Sequence, residues 1–133
     1  LHLKAFACQP FLTELTAGHF ANPMNQAYLS QLPLATLAFQ YAQISKGDIS
    51  QENAHENVNV YWQTVAKQQM GNALAADLLA DIEQFQTQGL DKISINDKAL
   101  LIKKYSHYSS PYAEEVVAWL KEQYRFDPAC LTG

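Results

Sequence analysis

Residues 54–85 read AHENVNVYWQTVAKQQMGNALAADLLADIEQF, and the reading of this stretch decides the fold. Ala54, Val58, Tyr61 and Val65 recur at steps of four, three and four, and Leu74, Leu78, Ile82 and Phe85 at four, four and three. Each half therefore carries one apolar stripe of helical period. Gly71-Asn72 is the only break between them. A connection that short predicts two antiparallel helices lying side by side, a helical hairpin on which the remaining segments pack.

The flanking segments extend the pattern. Pro10 stands where a first helical turn tolerates it, and Phe11, Leu12, Leu15, His19 and Phe20 predict a short helix ending between Gly18 and Asn22. Asn22-Pro23 supplies a cap and a first-position proline for a helix bearing Met24, Ala27, Tyr28 and Leu32 on one side. Pro33 either kinks that helix or restarts it. Leu34, Leu37, Tyr41 and Ile44 then form a packing face with the small residues Ala35, Ala38 and Ala42 beside it, and Ser45 to Asp48 stops the run.

Beyond the hairpin, Gly89 is a C-cap position and Leu90 to Ile95 a short connection. Ser94 with Asp97, or Asn96, opens a helix carrying Leu101, Ile102, Tyr105 and Tyr108 on one side. Ser110-Pro111 followed by Glu114 and Glu115 is the clearest helix start in the chain, with Val116, Val117, Leu120 and Tyr124 facing inward, Trp119 at the edge, and Asp127-Pro128 as the stop. About six helices and no alternating strand predict an all-α domain spanning 1–133, either an irregular bundle or a short stack of antiparallel helix pairs.

Length and composition agree with a single domain. At 133 residues with 48% apolar residues the chain can bury a core without staples, and only 17% of its residues are charged against an ordinary value of about 25%. The net charge is -4 and the basic residues are scattered, so the stripe that releases counterions from a nucleic acid is missing and no nucleic-acid partner is expected. No apolar run approaches the roughly 18 to 20 residues of a transmembrane segment. Ala5-Phe6-Ala7 has the small-x-small form of a signal-peptidase site, followed by Cys8, although His2 and Lys4 interrupt an apolar region; a trimmed signal remnant and an ordinary strand or coil are both compatible with it. Cys8 and Cys130 lie near opposite ends. In an oxidising compartment they can close a disulfide loop contributing about 3 to 5 kcal/mol, and in a reducing one they are free or buried thiols.

Leu37-Ala38-Phe39-Gln40-Tyr41, Gly47-Asp48, Tyr61-Trp62 with Ala66, then Gly71-Asn72 and Ala75 resemble the Sel-like branch of the tetratricopeptide repeats. The likeness covers about one unit, Leu34 to Leu79, and the Ala54–Tyr61 separation exceeds the family's spacing by about one helical period. Ala99 and Ala113 to Leu120 echo a second unit faintly. What the resemblance implies is nested helix pairs and a scaffold for binding other proteins, without catalysis.

No residue pattern here carries catalytic or metal chemistry above background. Glu52-Asn53-Ala54-His55 has the spacing of one half of a di-iron site, which requires a second copy and two further glutamates. His107 adjoins Ser106, Ser109 and Ser110, yet a nucleophile needs a base, an orienting acid and an oxyanion hole assembled in space. His2 and His19 stand isolated in sequence. Asp77 and Asp81, one turn apart, repel unless a cation lies between them. The group best suited to recognition is Tyr105, His107, Tyr108 and Tyr112 around the Ser109-Ser110-Pro111 corner, with Asp77 and Asp81 as an acidic neighbour, because tyrosine buries a ring while keeping its hydroxyl free. The function expected is docking of another protein without cofactor or metal, as an immunity or inhibitor protein does, in the periplasm or outside the cell. The alternatives are a helical carrier of a small apolar ligand, and a cytoplasmic location.

Overall fold

The computed structural model describes residues 1–6, 15–45 and 51–124, leaving aside the side chains of Ser45 and of residues 51–56. Over those residues the protein is all-helical. Five α-helices follow one another: α1 (Gln31–Ser45), α2 (Gln51–Met70), α3 (Asn72–Glu83), α4 (Ile95–Ser106) and α5 (Pro111–Leu120). A π-helical turn, Gln84–Gln88, prolongs α3, and a 3-10 turn, Leu90–Lys92, leads on towards α4. The helices pack in pairs, α1 on α2, α2 on α3 and α4 on α5.

The central hairpin turns on one residue. Gly71 has φ 82°, a backbone region that side-chain-bearing residues avoid, and a Cβ there would meet nothing within 4 Å, so conformation rather than space demands glycine. Its N–H donates to the Lys67 carbonyl at 3.0 Å and its own carbonyl accepts from the Ala75 N–H at 3.1 Å. Both helical ladders therefore meet at the corner without a gap. Val58, Trp62, Val65 and Ala66 from α2 and Leu74, Ala75 and Leu78 from α3 are buried. Tyr61 is half-buried and stacks on Phe39 of α1, ring centroids 4.1 Å apart. Phe85, on the π turn, is fully buried between Tyr105 of α4 (5.9 Å) and Trp119 of α5 (5.4 Å), which fastens the hairpin to the last helix pair. Full burial of side chains this size stabilises by roughly 1.5–3 kcal/mol each.

Helix starts at Ser94 and Ser110 differ in detail. Ser94 caps α4, its Oγ accepting from the Asp97 N–H at 3.1 Å and its hydroxyl donating to Asp97 Oδ2 at 2.7 Å. Ser110 has the extended backbone of a cap residue and Pro111 follows in the first turn, but the Ser110 side chain makes no capping bond. At the far end of α5 the Gln123 N–H reaches the Ala118 carbonyl and the Glu122 N–H that of Trp119, a Schellman closure with Glu122 in the left-handed position at φ 61°.

Three expectations are corrected. The helix from Pro23 does not form: residues 21–26 are irregular, 27–30 make a turn, and α1 begins at Gln31. Pro33 thus lies in the first turn of α1, where its missing N–H costs nothing, and the Leu34 N–H closes the first helical bond on the Ser30 carbonyl. Residues 16–20 are likewise not helical, and Leu15 and Phe20 are exposed. On α1 the buried residues are Leu32, Thr36, Leu37 and Gln40, while Leu34 is exposed, because apolar and polar residues are mixed around that helix and its sequence does not fix which side turns inward. Cys8, Cys130 and the Asp127-Pro128 stop lie outside the described residues, as do the side chains of Glu52, Ala54 and His55. No helix among the described residues is long and apolar enough to cross a membrane.

Candidate functional site

The α3–α4 interface gathers four of the six recognition candidates. Asp77 and Asp81, a turn apart on α3, face Tyr105 in the last turn of α4 and Tyr108 just beyond its end. The Tyr105 hydroxyl donates to Asp81 Oδ2 at 2.8 Å and that of Tyr108 to Asp77 Oδ2 at 2.6 Å. Lys104 supplies the cation between the two acids, its Nζ 3.2 Å from Asp77 Oδ1 and 2.9 Å from Asp81 Oδ2. The Tyr108 hydrogen bond, with Lys104 assisting, holds the Asp77 carboxyl below the ordinary carboxylate range. Burial disfavours the Lys104 charge, but its bonds to Asp81 and Asp77 outweigh that and hold the ammonium above its usual range. Burial first, then the Asp81 charge, pushes the Tyr105 hydroxyl upward, while the bond to Asp77 does the same for Tyr108.

All four shifts run away from neutrality. Each polar group of the cluster is taken up by another across the two helices, so the cluster behaves as a clasp between them. Tyr105 has no exposed surface. His107 is exposed and lies against Tyr108, ring centroids 4.1 Å apart. Tyr108 lines an open groove of about 560 Å³ that continues along Ser110, Pro111 and Val117.

Tyr112 belongs elsewhere. It is buried on α5 against α1 and α2, its hydroxyl 3.0 Å from Gln31 Oε1 and 3.1 Å from Gln69 Oε1, its ring edge-on to Tyr28 at 5.5 Å. A hydroxyl has one proton, so one of those amides turns its NH2 group to the oxygen. Nearby, Glu115 accepts the Tyr28 and Leu29 N–H groups at 2.9 and 2.8 Å with its two carboxylate oxygens.

A second open cleft of about 560 Å³ is lined by His2, Lys4, Phe6, His19, Phe20 and Met24, with Pro33, Leu34 and Leu37 of α1. His19 packs edge-on to Phe6 and Tyr41 and its Nδ1 lies 3.1 Å from the Tyr41 hydroxyl. Phe20 is wholly exposed, with Phe6 at 44% and Leu34 at 37%. Among the described residues, no Asp or Glu lines this cleft. Lys4 reaches outward to Glu83 at 2.6 Å.

Sequence reading missed both Lys104 and this cleft. Lys104 was detectable, since it stands one helical turn before Tyr108 and next to Tyr105. The cleft residues before α1, at 2–6 and 19–24, fall in irregular segments that carry no period, and they meet α1 only through long-range packing. Among the described residues no group of three or more His, Cys, Asp or Glu side chains is placed to share a metal ion. Compared with protein-family models, curated proteins and solved structures, the chain has no match in any of the three.

Proposed function

We propose that the protein is a non-catalytic interaction module that docks another protein through the cleft around Phe20, in the manner of an immunity or inhibitor protein. The observation that carries this reading is a fully exposed phenylalanine at the mouth of a largely apolar cleft with His2, Lys4 and His19 around it. Exposed aromatic and apolar side chains gathered in one place mark recognition surfaces. The lining suits a partner segment that is apolar. The nested pairs α1–α2 and α2–α3, with Phe39 stacked on Tyr61, support the scaffold role that the Sel-like resemblance implies. A periplasmic or extracellular site, with Cys8 bonded to Cys130, belongs to the same proposal; two reactive thiols in the denatured, non-reduced protein would contradict it.

Affinity capture from the native host, wild type beside Phe20→Ser, tests the docking. Because Phe20 is exposed, the substitution should leave the melting temperature in place while removing a stoichiometric partner that the wild type retains. A wild type that retains no such partner would count decisively against docking. The same cleft volume also falls within the range of about 300–1,000 Å³ that small-molecule sites occupy, which favours a carrier of a small apolar ligand as the second reading. Native mass spectrometry of the purified protein separates the two: a bound small molecule lost in Phe20→Ser indicates the carrier.

A further inference from the structure

Residues 1–6 are neither helix nor strand, and they bend at Lys4. Their burial nevertheless alternates: Leu3 is fully buried, Leu1 and Ala5 are half-buried, and His2, Lys4 and Phe6 are exposed. Side chains from α1, α2 and the π turn read the main chain of this segment. Gln86 Oε1 accepts both the Leu3 N–H at 3.0 Å and the Lys4 N–H at 2.9 Å. The Trp62 indole donates to the Leu3 carbonyl at 2.6 Å, Thr36 Oγ1 accepts the Phe6 N–H at 3.0 Å, and the Gln40 amide donates to the Phe6 carbonyl.

Four side chains on three elements thus recognise a peptide main chain, and one apolar pocket takes a leucine. None of these bonds belongs to a helical ladder. The segment can therefore leave while every helix keeps its own hydrogen bonds, at the cost of opening the Leu3 place, which is continuous with the main core. We infer that this groove is a receptor for a short peptide with an apolar residue at the Leu3 place, filled here in cis by residues 1–6, and that a partner's segment of the same pattern enters by displacing them. The premise is the docking reading, to which this adds the chemistry of the partner: main-chain groups matched to Gln86, Trp62, Thr36 and Gln40, and a leucine-sized anchor. Displacement would also rebuild the neighbouring cleft, because His2, Lys4 and Phe6 form one wall of it.

The test uses the full chain carrying Leu3→Asp, which sets a carboxylate against the apolar pocket and unseats the cis segment, with the acetylated and amidated peptide LHLKAF as probe. Fluorescence polarisation should show the peptide binding the variant at least tenfold more tightly than the wild type, and adding Gln86→Ala should weaken it at least tenfold. A variant that keeps its helical circular dichroism yet fails to bind, or binds equally well with Gln86→Ala, overturns the proposal. Should Leu3→Asp not fold, hydrogen exchange on the wild type decides: the Leu3, Lys4 and Phe6 amides should exchange at least tenfold faster than that of Leu78, and equal rates would mean that the segment leaves only on global unfolding. A concentration-dependent wild-type dimer dissociated by the peptide would make a second copy the occupant and overturn the partner assignment. Failure of peptide binding with Phe20-dependent capture intact removes the groove alone, whereas loss of capture with peptide binding intact removes docking at the cleft.

Discussion

Single residues with unusual backbone angles carry the tightest constraints in this chain. Gly71 sits at φ 82° with open space where a side chain would go, so any substitution pays for conformation and not for crowding. Gly71→Ala and Gly71→Ser are expected to lose the same stability, about 1–3 kcal/mol, seen as equal shifts of the urea midpoint at constant slope. A larger loss for serine than for alanine would mean that space matters after all. Glu122, at φ 61° in the Schellman closure of α5, is a second such position and is bonded to Lys98 at 3.0 Å. Replacing it by valine, whose branched Cβ resists the left-handed region, should cost more than about 1 kcal/mol. Glycine there should cost less, since relief of the backbone offsets the lost, partly exposed ion pair; thermal melts of the two variants compare them directly.

At the scale of helices, the clasp between α3 and α4 gives stability a definite dependence on pH. Asp77 is held below the ordinary carboxylate range, so its contribution is complete above the unfolded value near pH ~4 and is lost as pH falls through the folded value. Lys104 and Tyr105 are held above their ordinary ranges, so theirs is complete below about pH 10 and is lost as pH rises. Tyr108→Phe removes the leading cause of the Asp77 shift. It should cost about 1 kcal/mol at neutral pH and flatten the fall of melting temperature between roughly pH 4 and 2; an acid limb as steep as the wild type's would show that Asp77 is not its source. The elements joined by this clasp were legible because α2, α3, α4 and α5 each keep a stripe of 3.6 period, with Gly71, Gly89 and Ser94 as punctuation. α1 and the residues before it were less so. A helix whose apolar and polar residues are spread around it has no preferred face on paper, and the turn at 27–30 depends on Glu115, 86 residues beyond Leu29. The grouping of the six candidate side chains was half legible for the same reason: helical spacing brought Tyr105 and Tyr108 into line with Asp77 and Asp81, whereas Tyr112, on the next helix, faces α1 and α2.

On the scale of the whole molecule, the open question of cohesion is how α4 and α5 stay joined to the hairpin and α1. Phe85 makes the apolar contact, and Tyr112 adds hydroxyl contacts with Gln31 and Gln69. Glu115 makes the charged contact: one carboxylate closes two neighbouring amides before α1, and Leu29, whose amide it holds, is fully buried. Charge-assisted bonds of this geometry stabilise more than neutral ones, and their loss leaves donors that helix α1 cannot satisfy. Glu115→Ala should therefore lower stability by about 2–3 kcal/mol, with the loss visible both in α1 and in α5. If the helix pairs form one cooperative body, calorimetry of this variant gives a single transition at lower temperature. Two separated transitions would mean that α4 and α5 fold apart from the rest, and that Glu115 is a local cap without the long-range role assigned to it.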